Sequence, residues 1–137
     1  MVTDDAGNLV RRLHAEILAV RDPGVVDAFF APDFVSHTNP PGFPEGVEGV
    51  RRFFAMFRDA MPDVEVTIAE LIVDGDRAAV ATTIRGTHTG DLLGLPATGR
   101  RVEVIGVDMV RVLDGKIVEH RGLTDTVGLM RQLGGAA

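Results

Sequence analysis

A chain of 137 residues suits one domain with a sizeable core, and its 45% hydrophobic content places it among folded globular proteins. A net charge of -6 and a pI near 5.1 argue against non-specific nucleic-acid binding, and the absence of cysteine excludes disulfides, thiolate catalysis and cysteine metal sites. No apolar run approaches the roughly 18 residues of a membrane span, and MVTDDAGNLVRRL lacks a signal-type apolar stretch, so a cytoplasmic protein without membrane contact is expected.

Asn8 to Val20 carries Leu9, Val10, Leu13, Ile17 and Leu18 at helical spacing. Asp22 and Pro23 then read as the cap and first residue of a short helix ending near Phe30. APDFVSHTNPPGFPEG, rich in Pro and Gly, is a loop or short strand. Gly46 to Met61 is a further amphipathic helix striped by Val50, Phe53, Phe54 and Phe57, and Pro62 stops it. Beyond it the period changes from helix to strand. Val64 to Val73 alternates, Asp74-Gly75-Asp76 turns, and Arg77 to Thr87 is a second strand. His88 to Gly99 is a loop. Val102 to Leu113 and Lys116 to Asp125 form a hairpin, and Thr126 to Leu133 a closing helix. There is no internal repeat or linker, so residues 1–137 form a single domain. Helices followed by an antiparallel meander define an α+β fold with helices on one face of a curved sheet.

The hairpin is the most informative stretch. Asp114-Gly115 between alternating apolar residues is a strong two-residue turn signal. Pairing outward from it sets Leu113 against Lys116, Val112 against Ile117 and Asp108 against Arg121. Alternation then places Asp108 and Arg121 on one face with Gly106, Val110, Val112, Ile117, Glu119 and Leu123. Asp125 joins them if no bulge intervenes. Charged groups on an apolar face are costly unless paired, so this face is the candidate site. His120 falls out of phase, toward solvent or a partner.

Other features weigh less. The four histidines (His14, His37, His88, His120) show no metal-ligand spacing. Gly86, Gly90, Gly94 and Gly99 are turn glycines without the spacing of a dinucleotide fingerprint. No base-paired nucleophile pattern surrounds Ser36, the chain's only serine. Asp125 has an alternative reading as the cap of the helix that follows it. Asp108 and Arg121 could equally be a structural cross-strand pair.

The runs GTHTGDLLGLPATGRRVEV and RVLDGKIVEHRGLTDTVGLMRQLG resemble the SnoaL-like polyketide cyclases. Weaker resemblance extends to Phe30-Ala31-Pro32-Asp33-Phe34 and Met61-Pro62-Asp63. The resemblance implies the cone fold shared with nuclear transport factor two, ketosteroid isomerase and limonene-epoxide hydrolase. It implies a homodimer packed through the outer sheet face. It also implies a cofactor-free, metal-free enzyme that closes a ring on an anthracycline-type polyketide by intramolecular aldol chemistry.

The family's general acid/base matches Asp125, in GLTDTVG. Asp108 stands where cyclases of this kind carry a histidine. Asp125 is thus expected to move the proton, Asp108 to assist it, and Arg121 to orient a carboxylate or a substrate oxygen. His37, Phe53, Phe57, His88, Val110 and Leu123 are expected to line the substrate pocket. Two alternatives remain: epoxide opening by Asp108, Arg121 and Asp125, and a domain that binds a small molecule without turnover.

Overall fold

The computed structural model describes residues 5–18 and 24–134. The expected cap Asp22 and Pro23 lie outside the described residues. The chain runs α1 (Asp5–Glu16), α2 (Val25–Phe29), β1 (Phe30–Ser36), α3 (Val47–Ala60), β2 (Glu65–Asp74), β3 (Arg77–Thr87), β4 (Arg101–Leu113), β5 (Lys116–Thr124) and α4 (Thr126–Gln132). The strands form one open sheet in the order β1-β5-β4-β3-β2.

The hairpin forms at the expected turn. Asp114 and Gly115 take φ values of 51° and 73°, the positive values that a tight two-residue turn with right-handed strand twist demands. From β2 to β5 the chain is an antiparallel meander. The segment after α2 resolves as a strand: β1 runs parallel to β5, with Val35 beside Glu119 and Ser36 beside His120. The sheet is therefore mixed.

The helices cover one face, and that face is apolar in two separate places. One cluster joins α1 and α2 to the sheet through Leu9, Val10, Leu13, Phe29, Val80, Val110 and Ile117. The other gathers Phe57, Met61, Ile84, Leu92, Val104, Leu129 and Leu133. α3 serves both, with Phe54 packed against the first cluster and Phe53 against the second. At Gly86 a β-carbon would press on the Met61 side chain at 2.9 Å from its sulfur, so the missing side chain lets β3 close onto the chain following α3.

Candidate active site

Between the two apolar clusters the inner face changes character. Thr82, Gly106 and Thr124 form one cross-strand row, and Val80, Asp108 and Gly122 the next. Apart from Val80 these rows carry small or polar side chains, whereas the flanking inner positions on β4 are Val104 and Val110. On β5 the strip continues to His120, and across the parallel ladder to Ser36.

The hairpin register departs from simple counting. Leu113 pairs with Lys116 and Val112 with Ile117, as the turn requires. The next pair is Arg111 with Glu119, so Val118 is an extra residue in β5. A bulge of this kind puts two residues opposite one and reverses the facing of everything beyond it. Asp108 therefore lies opposite Gly122, Val110 opposite His120, and Met109 opposite Arg121. Arg121 and Leu123 turn to the outer face, where Leu123 is 76% exposed. His120 turns inward. The expected Asp108–Arg121 pair does not form, and neither Arg121 nor Leu123 lines the inner face.

His120 takes the place expected of Arg121. Its Nε2 lies 2.7 Å from Asp108 Oδ1, within hydrogen-bond distance, and its Nδ1 lies 3.0 Å from Ser36 Oγ. The two side chains are 24% and 31% exposed, sheltered but open to a ligand. Gly122 makes the pair possible. A β-carbon there would overlap Asp108 Oδ1 and sit 2.8 Å from His120 Nε2. The carboxylate thus occupies the volume that any other residue at 122 would claim. The short loop after β1 is fastened to the same stretch: His37 N–H donates to the His120 carbonyl at 2.9 Å, and Gly122 N–H to Thr38 Oγ1 at 2.9 Å.

Asp125 is the N-cap of α4. Its Oδ1 accepts from Gly128 N–H at 2.8 Å, and the side chain is exposed. The carboxylate lies so close over Gly128 that a β-carbon there would overlap it. Asp125 is three residues past Gly122, on the order of 10 Å along an extended strand. Asp108, Arg121 and Asp125 are thus not gathered as one cluster on the inner face.

The remaining expected residues fall into distinct places. Val110 and Phe57 are buried on the helix-covered side, and half-buried Phe53 stacks edge-on against Phe43, Phe54 and Phe57. His37 is exposed and donates from Nε2 to Glu119 Oε2 at 2.6 Å. That bond, helped by the charges of His37, Arg77 and Arg121, holds the Glu119 carboxyl below its ordinary range against the opposing effect of desolvation. His88 is fully buried. Thr98 N–H donates to its Nδ1 at 3.2 Å and the Thr98 hydroxyl lies 2.9 Å away, so the ring ties down the 88–99 loop. Its Nε2 has no hydrogen-bond partner among the described residues. Also among them, no group of three His, Asp or Glu is placed to hold a metal ion, and no helix is long and apolar enough to cross a membrane.

His120 and Ser36 are the site residues that strand counting misses. A signal for them exists in the sequence: Ile117 and Val118 are adjacent apolar residues that break the alternation of β5, as a bulge does.

An α+β cone with a carboxylate–imidazole pair on its inner face defines a class of small-molecule enzymes and binders. The model of the SnoaL-like polyketide cyclases matches residues 8–133, and the chain belongs to that family. It is 35% identical over 117 residues to the nogalonic acid methyl ester cyclase of Streptomyces nogalater, spanning 80% of this chain and 83% of that one. Among solved structures it matches TsrD from Streptomyces laurentii at 29% identity and TM-score 0.86, covering 99% of both chains. It also matches IdmH from Streptomyces antibioticus at 31% identity and TM-score 0.81, over 94% and 98% of the two chains.

Proposed function

We propose that the protein closes a ring on a hydrophobic polyketide methyl ester by an intramolecular aldol reaction, with Asp108 and His120 as its proton-handling pair. The observation that carries this reading is the 2.7 Å bond between them on the inner face, between two apolar clusters. A site that is mostly apolar with a few converging polar groups suits a polycyclic substrate.

Asp108 Oδ1 is engaged by His120, which leaves Oδ2 as the oxygen offered to substrate. Oδ2 takes the proton from the carbon beside a carbonyl. The resulting enolate carbon attacks a second carbonyl, forming the C–C bond, and the alkoxide so formed takes the proton back. No atom leaves and no redox change occurs. The His120 N–H stabilises the Asp108 carboxylate before the first transfer and after the second; between them Asp108 is a neutral acid holding the proton on Oδ2. In this reading Asp125 organises α4 and does not carry the proton. The outward turn of Arg121 removes the Asp–Arg–Asp arrangement on which epoxide opening depends.

The test is turnover of nogalonic acid methyl ester by Asp108→Asn and His120→Gln, followed by chromatography of the cyclised product. A positioned acid/base contributes about 10²–10⁴-fold, and losses of that order are expected in both variants. Near wild-type turnover in both, with the fold intact by circular dichroism, refutes the pair. Saturable binding of the substrate to the wild-type protein without product supports a binding domain instead.

We further propose that the protein is a homodimer through its outer sheet face. Ile105, Val107, Met109 and Leu123 are all at least half exposed there on adjacent strands. Exposed apolar patches on neighbouring strands mark interaction surfaces. A monomeric mass by sedimentation at micromolar concentration would refute it.

A further inference from the structure

Ser36 lies at the end of β1, directly beside His120 in the parallel ladder. Its Oγ accepts a hydrogen bond from Thr38 N–H at 3.3 Å and lies 3.0 Å from His120 Nδ1. We propose that Ser36 is a positioning residue that fixes the tautomer of His120, an inference resting on the proton-handling role assigned above to Asp108 and His120.

The argument is one of hydrogen-bond polarity. A serine hydroxyl has one proton and two lone pairs. The Thr38 bond uses a lone pair, so the proton remains free to be donated to Nδ1. A neutral imidazole carries its single N–H on one nitrogen and accepts at the other. With Nδ1 accepting from Ser36, the N–H sits on Nε2 and meets the Asp108 carboxylate at 2.7 Å. The opposite tautomer would set the Nε2 lone pair against an ionised carboxylate oxygen at that distance, two acceptors face to face. The chain therefore reads Ser36 O–H to His120 Nδ1, and His120 Nε2–H to Asp108 Oδ1. The second oxygen of Asp108 is left to substrate.

The backbone holds this order in place. His37 N–H donates to the His120 carbonyl and Gly122 N–H to Thr38 Oγ1, so the two residues directly after the serine are stitched to 120 and 122. Ser36 thus needs no movement to meet the ring, and its effect is orientational. It does not touch the reacting atoms in this scheme.

The experiment combines nitrogen NMR of His120 with steady-state kinetics on nogalonic acid methyl ester, in wild type, Ser36→Ala and Ser36→Thr. In wild type, at a pH where the ring is neutral, Nε2 is expected to give the protonated shift and Nδ1 the unprotonated one. Ser36→Ala is expected to draw the two shifts toward each other as the tautomers mix. It should lower kcat on the order of 10- to 100-fold, by analogy with the loss of the orienting partner of a metal-bound histidine, with KM little changed. The pH profile of kcat should be displaced as well. Ser36→Thr restores the hydroxyl and should restore both the spectrum and most of the rate.

A wild-type spectrum with Nδ1 protonated overturns the proposal. So does a Ser36→Ala variant whose spectrum and pH profile match wild type. The spectra stand apart from turnover: if Asp108→Asn and His120→Gln remain active, the catalytic reading fails, and the tautomer result still decides the role of Ser36.

Discussion

Gly122→Ala is the most economical way to break the proposed site without removing any group from it. The added methyl would overlap Asp108 Oδ1 and come within 2.8 Å of both His120 Nε2 and the Val107 carbonyl. Carbon–oxygen approaches are ordinarily about 3.3–3.6 Å. Gly122 does not have a positive φ, so alanine meets no backbone penalty and the whole effect is steric. The Asp108 carboxylate is the end of a short side chain and can swing away. The Val107 carbonyl belongs to the β4 backbone and can yield only with its ladder. The expected outcome is a displaced carboxylate and a lost bond to His120.

Overpacking a filled site costs about 1–3 kcal/mol, and a hydrogen bond to a charged group contributes about 1.5–3 kcal/mol. Water can replace part of the latter, because the pair is a quarter to a third exposed. The smaller unfolded-state entropy of alanine offsets about 0.4–1 kcal/mol. A net loss of about 2–3 kcal/mol follows. At roughly 3–5 °C per kcal/mol for a chain of this length, Tm should fall by about 6–15 °C. The variant is expected to stay folded at 20 °C, since native domains have about 5–15 kcal/mol of stability. Its turnover should drop on the order of 10²-fold or more, and the His120 ring resonances should lose the signature of a carboxylate partner. A folded Gly122→Ala protein with wild-type turnover and an unchanged His120 spectrum would refute both the packing argument and the role of the pair.

Three further outcomes follow from the same geometry. Asp125→Ala removes the α4 cap and should cost about 0.5–2 kcal/mol in urea unfolding, whereas Asp125→Asn, an equally good cap, should cost little and leave turnover near wild type; a 10²-fold loss in the Asn variant would return the acid/base role to Asp125. The lowered Glu119 carboxyl has an acid-side consequence: its contribution is complete above its ordinary value of 4.5 and disappears as pH falls through the lower folded value, so His37→Ala should flatten the loss of urea midpoint as pH is lowered below 4.5, and an unchanged acid limb would refute it. His88→Ala empties a fully buried site and releases the Thr98 bonds; unfolding should ease by about 2–4 kcal/mol, and an unchanged urea midpoint would remove its role as anchor of the 88–99 loop.

The fold was legible because its signals are local. Helical spacing in α3, the Asp114-Gly115 turn and the alternation of β3 and β4 each act over a few residues, and each lies close to where the sequence places it. β1 was half legible: Phe30 to Ser36 is short, holds Pro32, and gains strand character only by pairing with β5, far along the chain. The site was read one residue out of phase. Asp108 was found because an acid on an apolar stripe is conspicuous. Its partner was missed because a single extra residue, Val118, turned His120 in and Arg121 out. Pattern counting assumes an unbroken ladder, and the adjacent Ile117 and Val118 were the only local mark of the break. The two readings of Asp125 also differed in kind. Its capping geometry depends on Gly128, three residues on, while its family role depends on resemblance alone.

Val118 also has a bearing on how this strand tolerates change. β5 behaves as two segments with independent facing: Ile117 is locked into the core, while His120, Gly122 and Thr124 present the chemistry. Deleting one residue at the bulge would leave composition and length almost untouched. It would also leave the pairing intact if the residue removed is Val118: Arg111 would still meet Glu119, Val110 His120 and Asp108 Gly122, in a ladder now regular. The change that would alter the site is a flattened bulge with Val118 retained, a one-residue slip that sets Arg121 across from Asp108 and sends His120 to the outer face. An alignment that omits a gap here, for a relative lacking the extra residue, exchanges inner for outer positions in every comparison downstream of it.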